Sequence, residues 1–143
     1  MSASRFLGIW RLVSYTRRQA NGTVDHPYTE QPIGRLTYDP AGRMSAQLMR
    51  PGRRSTLPSG VSFALANASD VELREAASGF IAYYGRFDVD EAAEMVIHHV
   101  DACLVPSWVG TDLRRQYRFN GDRLFLRAEA AGQVVDLEWQ REA

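Results

Sequence analysis

The chain has no lysine; all 17 of its basic residues are arginine. A lysine Schiff base and a P-loop lysine are therefore excluded, because both chemistries need an ε-amine that arginine cannot imitate. Cysteine is nearly absent as well: Cys103 stands alone, so no internal disulfide can form, and the Cys/His spacing of a structural zinc site does not occur. Net charge is also missing. The 17 arginines face 17 acidic residues, which leaves no overall field to draw the chain onto nucleic acid or an anionic membrane surface. No apolar run reaches the roughly 20 residues of a membrane-spanning helix, and the stretch from Met1 to Leu7 has no signal-peptide core. A cytoplasmic location is the expectation from that pattern. Asn21-Gly22-Thr23 and Asn67-Ala68-Ser69 match the glycosylation acceptor pattern, but without a secretory signal they read as a turn and a helix approach.

What is present is enough for one core: 143 residues, 45% of them apolar, predict a single domain over residues 1–143. Turn signals cut that domain into short extended pieces. Ile9 to Gln19 alternates Trp10, Leu12, Ser14 and Thr16 against Arg11, Val13, Tyr15 and Arg17, and ends at the Asn21-Gly22 hairpin signal. His26-Pro27 and Gln31-Pro32 break the next stretch into loop. Ile33 to Asp39 and Arg43 to Arg50 flank Asp39-Pro40-Ala41-Gly42, a turn sequence. Pro51 to Gly60 reads as a mobile loop over an opening or an idle connection. A helix is predicted from near Ser69, where Ser69 and Glu72 have capping-box spacing and Val71, Leu73, Ala76, Ala77 and Phe80 form an apolar stripe. Extended segments follow at about Ala82 to Val89, Glu94 to Leu104, Thr111 to Asn120, Arg123 to Ala130 and Val134 to Gln140, with a type I′ turn expected at Asn120-Gly121. Eight strands in sequential hairpins with one short helix predict an all-β, up-and-down antiparallel barrel, since closure removes exposed edges.

The ordered set of short motifs strengthens that reading. Gly8-Ile9-Trp10-Arg11-Leu12-Val13-Ser14-Tyr15, Gly34-Arg35-Leu36-Thr37-Tyr38-Asp39 and Gly42-Arg43-Met44-Ser45-Ala46-Gln47 come first. Tyr83-Tyr84-Gly85-Arg86-Phe87, His98-His99-Val100, Pro106-Ser107-Trp108-Val109-Gly110-Thr111, Arg115 and Gly121-Asp122-Arg123-Leu124 follow in order. On these residues the chain resembles the lipocalin-like domain family of small bacterial and fungal proteins. The resemblance implies a lipocalin-like β-barrel whose interior holds a small, mostly apolar molecule, and it implies no defined reaction. The family pattern commonly carries tyrosine where this chain has Phe87, which implies a greasier pocket here.

Alternation nominates the groups that could do chemistry. Leu113, Arg115, Tyr117 and Phe119 share one side of their strand, so Arg115 is the lone charge on an apolar face, and such a charge needs a partner or a ligand. It could clamp an anionic group inside the barrel. Alternatively, lipocalin-type barrels pack an arginine across a tryptophan at the closed end, and Trp10 could accept Arg115 in that way. His98 shares a face with Val96, Val100, Ala102 and Leu104, and is placed inside, with His99 outside. It could orient a ligand or move a proton, or be a core histidine satisfied by a backbone or tyrosine partner. Tyr38, Tyr83 and Tyr117 fall on faces that point inward, Trp108 caps the opening, and Ser14, on the side of Trp10 and Leu12, contacts the ligand. No metal site is predicted, because His98 and His99 point to opposite faces and His26 lies in a loop. Asp88, Asp90, Glu91 and Glu94 read as a solvated acidic turn.

The leading functional expectation is binding of a small hydrophobic ligand bearing a polar or anionic group, with no cofactor, nucleic acid or membrane as partner. Its pocket residues are His98, Arg115, Tyr38, Tyr83, Tyr117, Trp108, Phe87 and Ser14. The alternatives are a cofactor-independent cyclase or isomerase using His98 and Arg115 in the same pocket, and an interaction module with a filled barrel. Neither the ligand nor the oligomeric state follows from the sequence.

Overall fold

Hairpin turns make nearly every strand the neighbour of the next, and the strands wind into one antiparallel sheet. A computed structural model describes residues 2–143. A helix α1 (Ser2–Phe6) leads into β1 (Gly8–Arg18), β2 (Val24–Asp25), β3 (Ile33–Tyr38) and β4 (Arg43–Met49). A helix α2 (Asp70–Ser78) precedes β5 (Phe80–Asp90), β6 (Met95–Cys103), β7 (Asp112–Asn120), β8 (Arg123–Ala130) and β9 (Gln133–Arg141). The sheet order is β2-β1-β3-β4-β5-β6-β7-β8-β9, and β1 also pairs with β9. The eight long strands thus close into the expected up-and-down barrel, and β2 is a two-residue ribbon on the end of β1.

One end of the barrel is sealed from below. Phe6 of α1 is fully buried and meets the edges of Tyr38, Tyr117 and Phe119 at ring-centroid distances of 5.3, 5.0 and 4.9 Å. The Trp10 indole N–H donates to the Phe6 carbonyl at 2.8 Å. Arg141 stacks 4.2 Å from the Trp10 ring and donates to the carbonyls of Leu7 and Arg5. The arginine that packs across the closed-end tryptophan is therefore Arg141 and not Arg115. α1 leaves no signal in the sequence, since five residues are too few for a helical period to emerge.

At the other end lie the long connections: residues 50–79 between β4 and β5, residues 104–111 between β6 and β7, and the β1–β3 excursion. The Ser69 hydroxyl caps α2 by accepting from the Glu72 N–H. The Glu72 carboxylate does not complete the capping box; it takes the N–H and hydroxyl of Thr56 instead, tying the Pro51–Gly60 loop to the helix. The predicted apolar stripe is not buried: Val71 is 78% exposed, and no residue of α2 enters the core.

Two β-bulges re-aim side chains. Leu12 opposes Trp139 but Ser14 opposes Glu138, so one residue of β1 is extra at that point. Beyond it Tyr15 faces Leu137 inside the barrel, and Ser14 joins Glu138 on the outer wall, against the expectation that Ser14 shares the side of Leu12. The second bulge lies between Tyr84 and Gly85 and places Cys103, not Ala102, on the inward side opposite Tyr83. The β7–β8 turn also differs from expectation. Its two loop residues are Gly121 and Asp122, and only Gly121 has positive φ (60°), which fits a type II′ turn.

Gly85 allows the second bulge. A Cβ there would stand 1.8 Å from the His99 carbonyl oxygen, a backbone atom that cannot swing aside. Gly85→Ala is expected to destabilise the fold by about 3 kcal/mol or more, at the upper end of overpacking costs. Denaturant unfolding measures it, and a loss below about 1 kcal/mol would contradict the close approach.

Candidate functional site

Three strands bring one polar chain into the interior. Tyr38 ends β3 near the sealed floor, His98 sits mid-strand on β6, and Tyr83 lies on β5 nearer the open end. The Tyr38 hydroxyl is 2.7 Å from His98 Nε2, and the Tyr83 hydroxyl is 2.8 Å from His98 Nδ1. His98 is 1% exposed. Burial, then the nearby positive charges of Arg115 and His99, push its pKa down to about 3, so the ring is neutral at ordinary pH. Burial pushes Tyr83 up to about 12 and holds Tyr38 well above the usual phenol value. His98 faces inward as alternation predicts, and of its two readings the tyrosine-satisfied one describes its contacts, because both ring nitrogens are occupied.

Arg115 lies beside this chain. It opposes the fully buried Val96 on the inward face of β7, in the half of that strand next to the open end. Its positive charge bears on Tyr15, Tyr38, Tyr83 and His98. Its guanidinium donates to the Arg114 carbonyl at 3.2 Å, and no carboxylate pairs with it among the described residues. The inward side chains of β7, Leu113, Arg115, Tyr117 and Phe119, are all half-buried, whereas Trp10, Leu36 and Leu124 are closed off.

The other predicted residues divide between rim, floor and outer wall. Trp108, in a short 3-10 turn after β6, is half-buried with its ring 6.1 Å from that of Tyr83. Phe87 packs 4.6 Å from Tyr38 on the floor side, and Tyr117 rests on Phe6 and Phe119. Ser14 lines a cleft of about 480 Å³ on the outer wall with Arg118, Arg127, Asp136 and Glu138, and neither His98 nor Arg115 borders that cleft. Sequence reasoning missed two aromatic residues near the open end. Tyr15 turns inward only because of the bulge, and its ring meets Tyr28 edge-on at 5.2 Å, from a loop without periodicity. It also missed Trp139, whose buried indole N–H has no partner among the described residues.

His99, one residue along, faces out. Its Nδ1 is 2.7 Å from Asp112 and its Nε2 is 2.7 Å from Asp88, so the imidazole joins β5, β6 and β7 across the outer wall. Those carboxylates, Asp112 first, raise its pKa above the ordinary value. A raised folded pKa stabilises the fold fully below the unfolded value of about 6.5, and that contribution fades as pH rises through the raised one. The stability advantage of the wild type over His99→Gln is therefore expected to shrink between pH 6 and pH 9, as read by urea unfolding; a constant difference would refute the clamp.

The sequence profile of the lipocalin-like domain matches residues 7–142. The chain belongs to the lipocalin-like domain family. Within that family it is 37% identical over 89 residues to the 4'-hydroxy-3'-methoxypropiophenone carrier protein of Aspergillus oryzae, a match covering 58% of this chain and 77% of the relative. Among solved structures, a lipocalin-like protein from Bacteroides uniformis aligns over 96% of this chain and 99% of its own, at 11% identity and a TM-score of 0.49. A de novo designed fluorescence-activating β-barrel aligns over 99% and 97%, at 13% identity and a TM-score of 0.47. Among the described residues of this lipocalin-like chain, no group of His, Cys, Asp and Glu is placed to hold a metal ion, and no helix is long and apolar enough to cross a membrane.

Proposed function

We propose that this lipocalin-like barrel is a carrier that holds a small hydrophobic molecule in its open half, with a polar group of the ligand against Arg115 and Tyr83. The observation that carries the reading is the inward guanidinium of Arg115, which has no carboxylate partner and stands among aromatic side chains. A few fixed polar groups among apolar side chains are the usual composition of a ligand site. Trp108 and Leu113 supply apolar contact near the rim, and the Tyr38–His98–Tyr83 chain backs the polar end. The fungal relative is named as the carrier of a small oxygenated aromatic ketone, and a ligand of that mixed aromatic and polar character matches the side chains around Arg115 in kind. The cyclase or isomerase alternative has less support. His98 is neutral, saturated by two tyrosines and a weak base, so it is poorly suited to move a substrate proton.

Native mass spectrometry and calorimetry with aromatic acids, hydroxylated aryl ketones and fatty acids test the carrier reading. At least one class is expected to bind stoichiometrically, and Arg115→Ala is expected to weaken it about tenfold or more. Thermal stability should not fall in that variant, because no protein carboxylate loses its partner. Failure of every class to bind, or affinity indifferent to Arg115→Ala, would reject the proposal.

A further inference from the structure

His98 is the one hydrogen-bond partner of both the Tyr38 and the Tyr83 hydroxyls among the described residues. A neutral imidazole donates through one nitrogen and accepts through the other, so one of the two tyrosines must give its proton to the ring and the other must receive one. The tyrosine that receives keeps its own O–H proton without an acceptor in the protein. If Tyr38 were that residue, the spare proton would be stranded where the side chain is 1% exposed, between the rings of Phe6 at 5.3 Å and Phe87 at 4.6 Å. A buried donor with no acceptor is costly. If Tyr83 is that residue, the spare proton lies nearer the open end, on a side chain 9% exposed that packs on the half-buried Trp108 and feels the charge of Arg115. The second arrangement strands nothing once a ligand is present.

We infer that the chain is polarised toward the opening, Tyr38 O–H donating to His98 Nε2 and His98 Nδ1–H donating to the Tyr83 oxygen, so that the Tyr83 hydroxyl donates into the chamber. The Tyr83 hydroxyl and the Arg115 guanidinium, whose charge bears on it, then both offer protons, a combination that selects ligands presenting an oxyanion, either a carboxylate or an ionised phenol or enol. Neutral amides satisfy it less well, and ammonium compounds are repelled. The inference rests on the carrier reading and names the ligand class of the same site. Tyr38 is a positioning residue in this scheme: it touches no ligand and acts by fixing the tautomer of His98.

Two measurements on the wild-type protein decide it. Long-range 1H–15N correlation of the His98 ring without ligand is expected to show a protonated Nδ1 and a bare Nε2; the opposite tautomer or an imidazolium overturns the polarity. Calorimetry with 3-phenylpropanoate, 3-phenylpropanamide and 3-phenylpropylamine at pH 7 is expected to rank the acid at least about tenfold tighter than the amide, with the amine weakest. Equal or inverted affinities overturn the selectivity and leave the carrier reading standing. Silence from all three probes also overturns the selectivity, and the carrier reading falls with it only if the wider ligand panel is silent too. Tyr38→Phe is expected to release the tautomer preference and to lower the acid-to-amide affinity ratio severalfold. An unchanged ratio in the folded variant overturns the positioning role, and if that variant does not fold, the wild-type tautomer still decides.

Discussion

The pairing of β1 with β9 governs everything else in this molecule. A sheet closed on itself has no edge through which an inward polar group can reach solvent sideways, so each must find its partner across the interior or through an end. Most do. Trp10 reaches the Phe6 carbonyl, Arg141 reaches those of Leu7 and Arg5, and His98 reaches two tyrosines on two other strands. Arg115 finds no carboxylate, and the Trp139 indole N–H finds no acceptor, among the described residues. Of the two, Trp139 is closed off from solvent, whereas Arg115 is half-buried on the inward face of β7.

Arg141 and Arg115 make that contrast with a single residue type. At the floor, the planar fork of Arg141 lies over Trp10 while its N–H groups hold the carbonyls of the segment that leads from α1 into β1. Its work is to lock the first and last segments of the chain together, with one N–H on each of two backbone carbonyls. Arg115, on the inward side of β7 and closer to the opening, spends one donor on the backbone of its own neighbour. A lysine could not fill the first role, because it lacks both the stacking plane and the forked geometry. A chain that uses only arginine for positive charge has the residue suited to both tasks.

Alternation reads faces well for as long as the pairing stays in step, and it fails where a bulge adds a residue. On β7, which has no bulge, Leu113, Arg115, Tyr117 and Phe119 point inward as the pattern predicts. On β1 the same logic holds through Leu12 and then inverts, so Ser14 leaves the interior and Tyr15 enters it. Nothing in Val13 or Ser14 announces the extra residue. Gly85 was the available signal on β5, as a glycine inside a strand pattern marks a bulge or a close approach. The Tyr38–His98–Tyr83 chain was legible only as three separate inward residues, because its hydrogen bonds join β3, β5 and β6 and depend on how far the strands are sheared past one another. Arg141 lay just beyond the last predicted strand, and α1 was too short to show a period, so the sealing of the floor could not be read at all.

The two adjacent histidines show what the closed wall does to chemistry. His98 and His99 have the same intrinsic pKa and neighbouring backbone positions, yet the wall separates their environments by the width of one strand. Inside, burial and the charge of Arg115 keep His98 neutral; outside, Asp112 and Asp88 favour the cationic form of His99. The inner ring is thereby a relay with one donor and one acceptor, and its direction is set by whichever tyrosine has no other place for its proton. In its cationic form the outer ring donates from both nitrogens, and it joins three strands. The recognition capacity of the interior accordingly rests on donors whose charge states hold across the neutral pH range, and the pH-sensitive histidine is on the face where it can change the strength of the wall without entering the chamber.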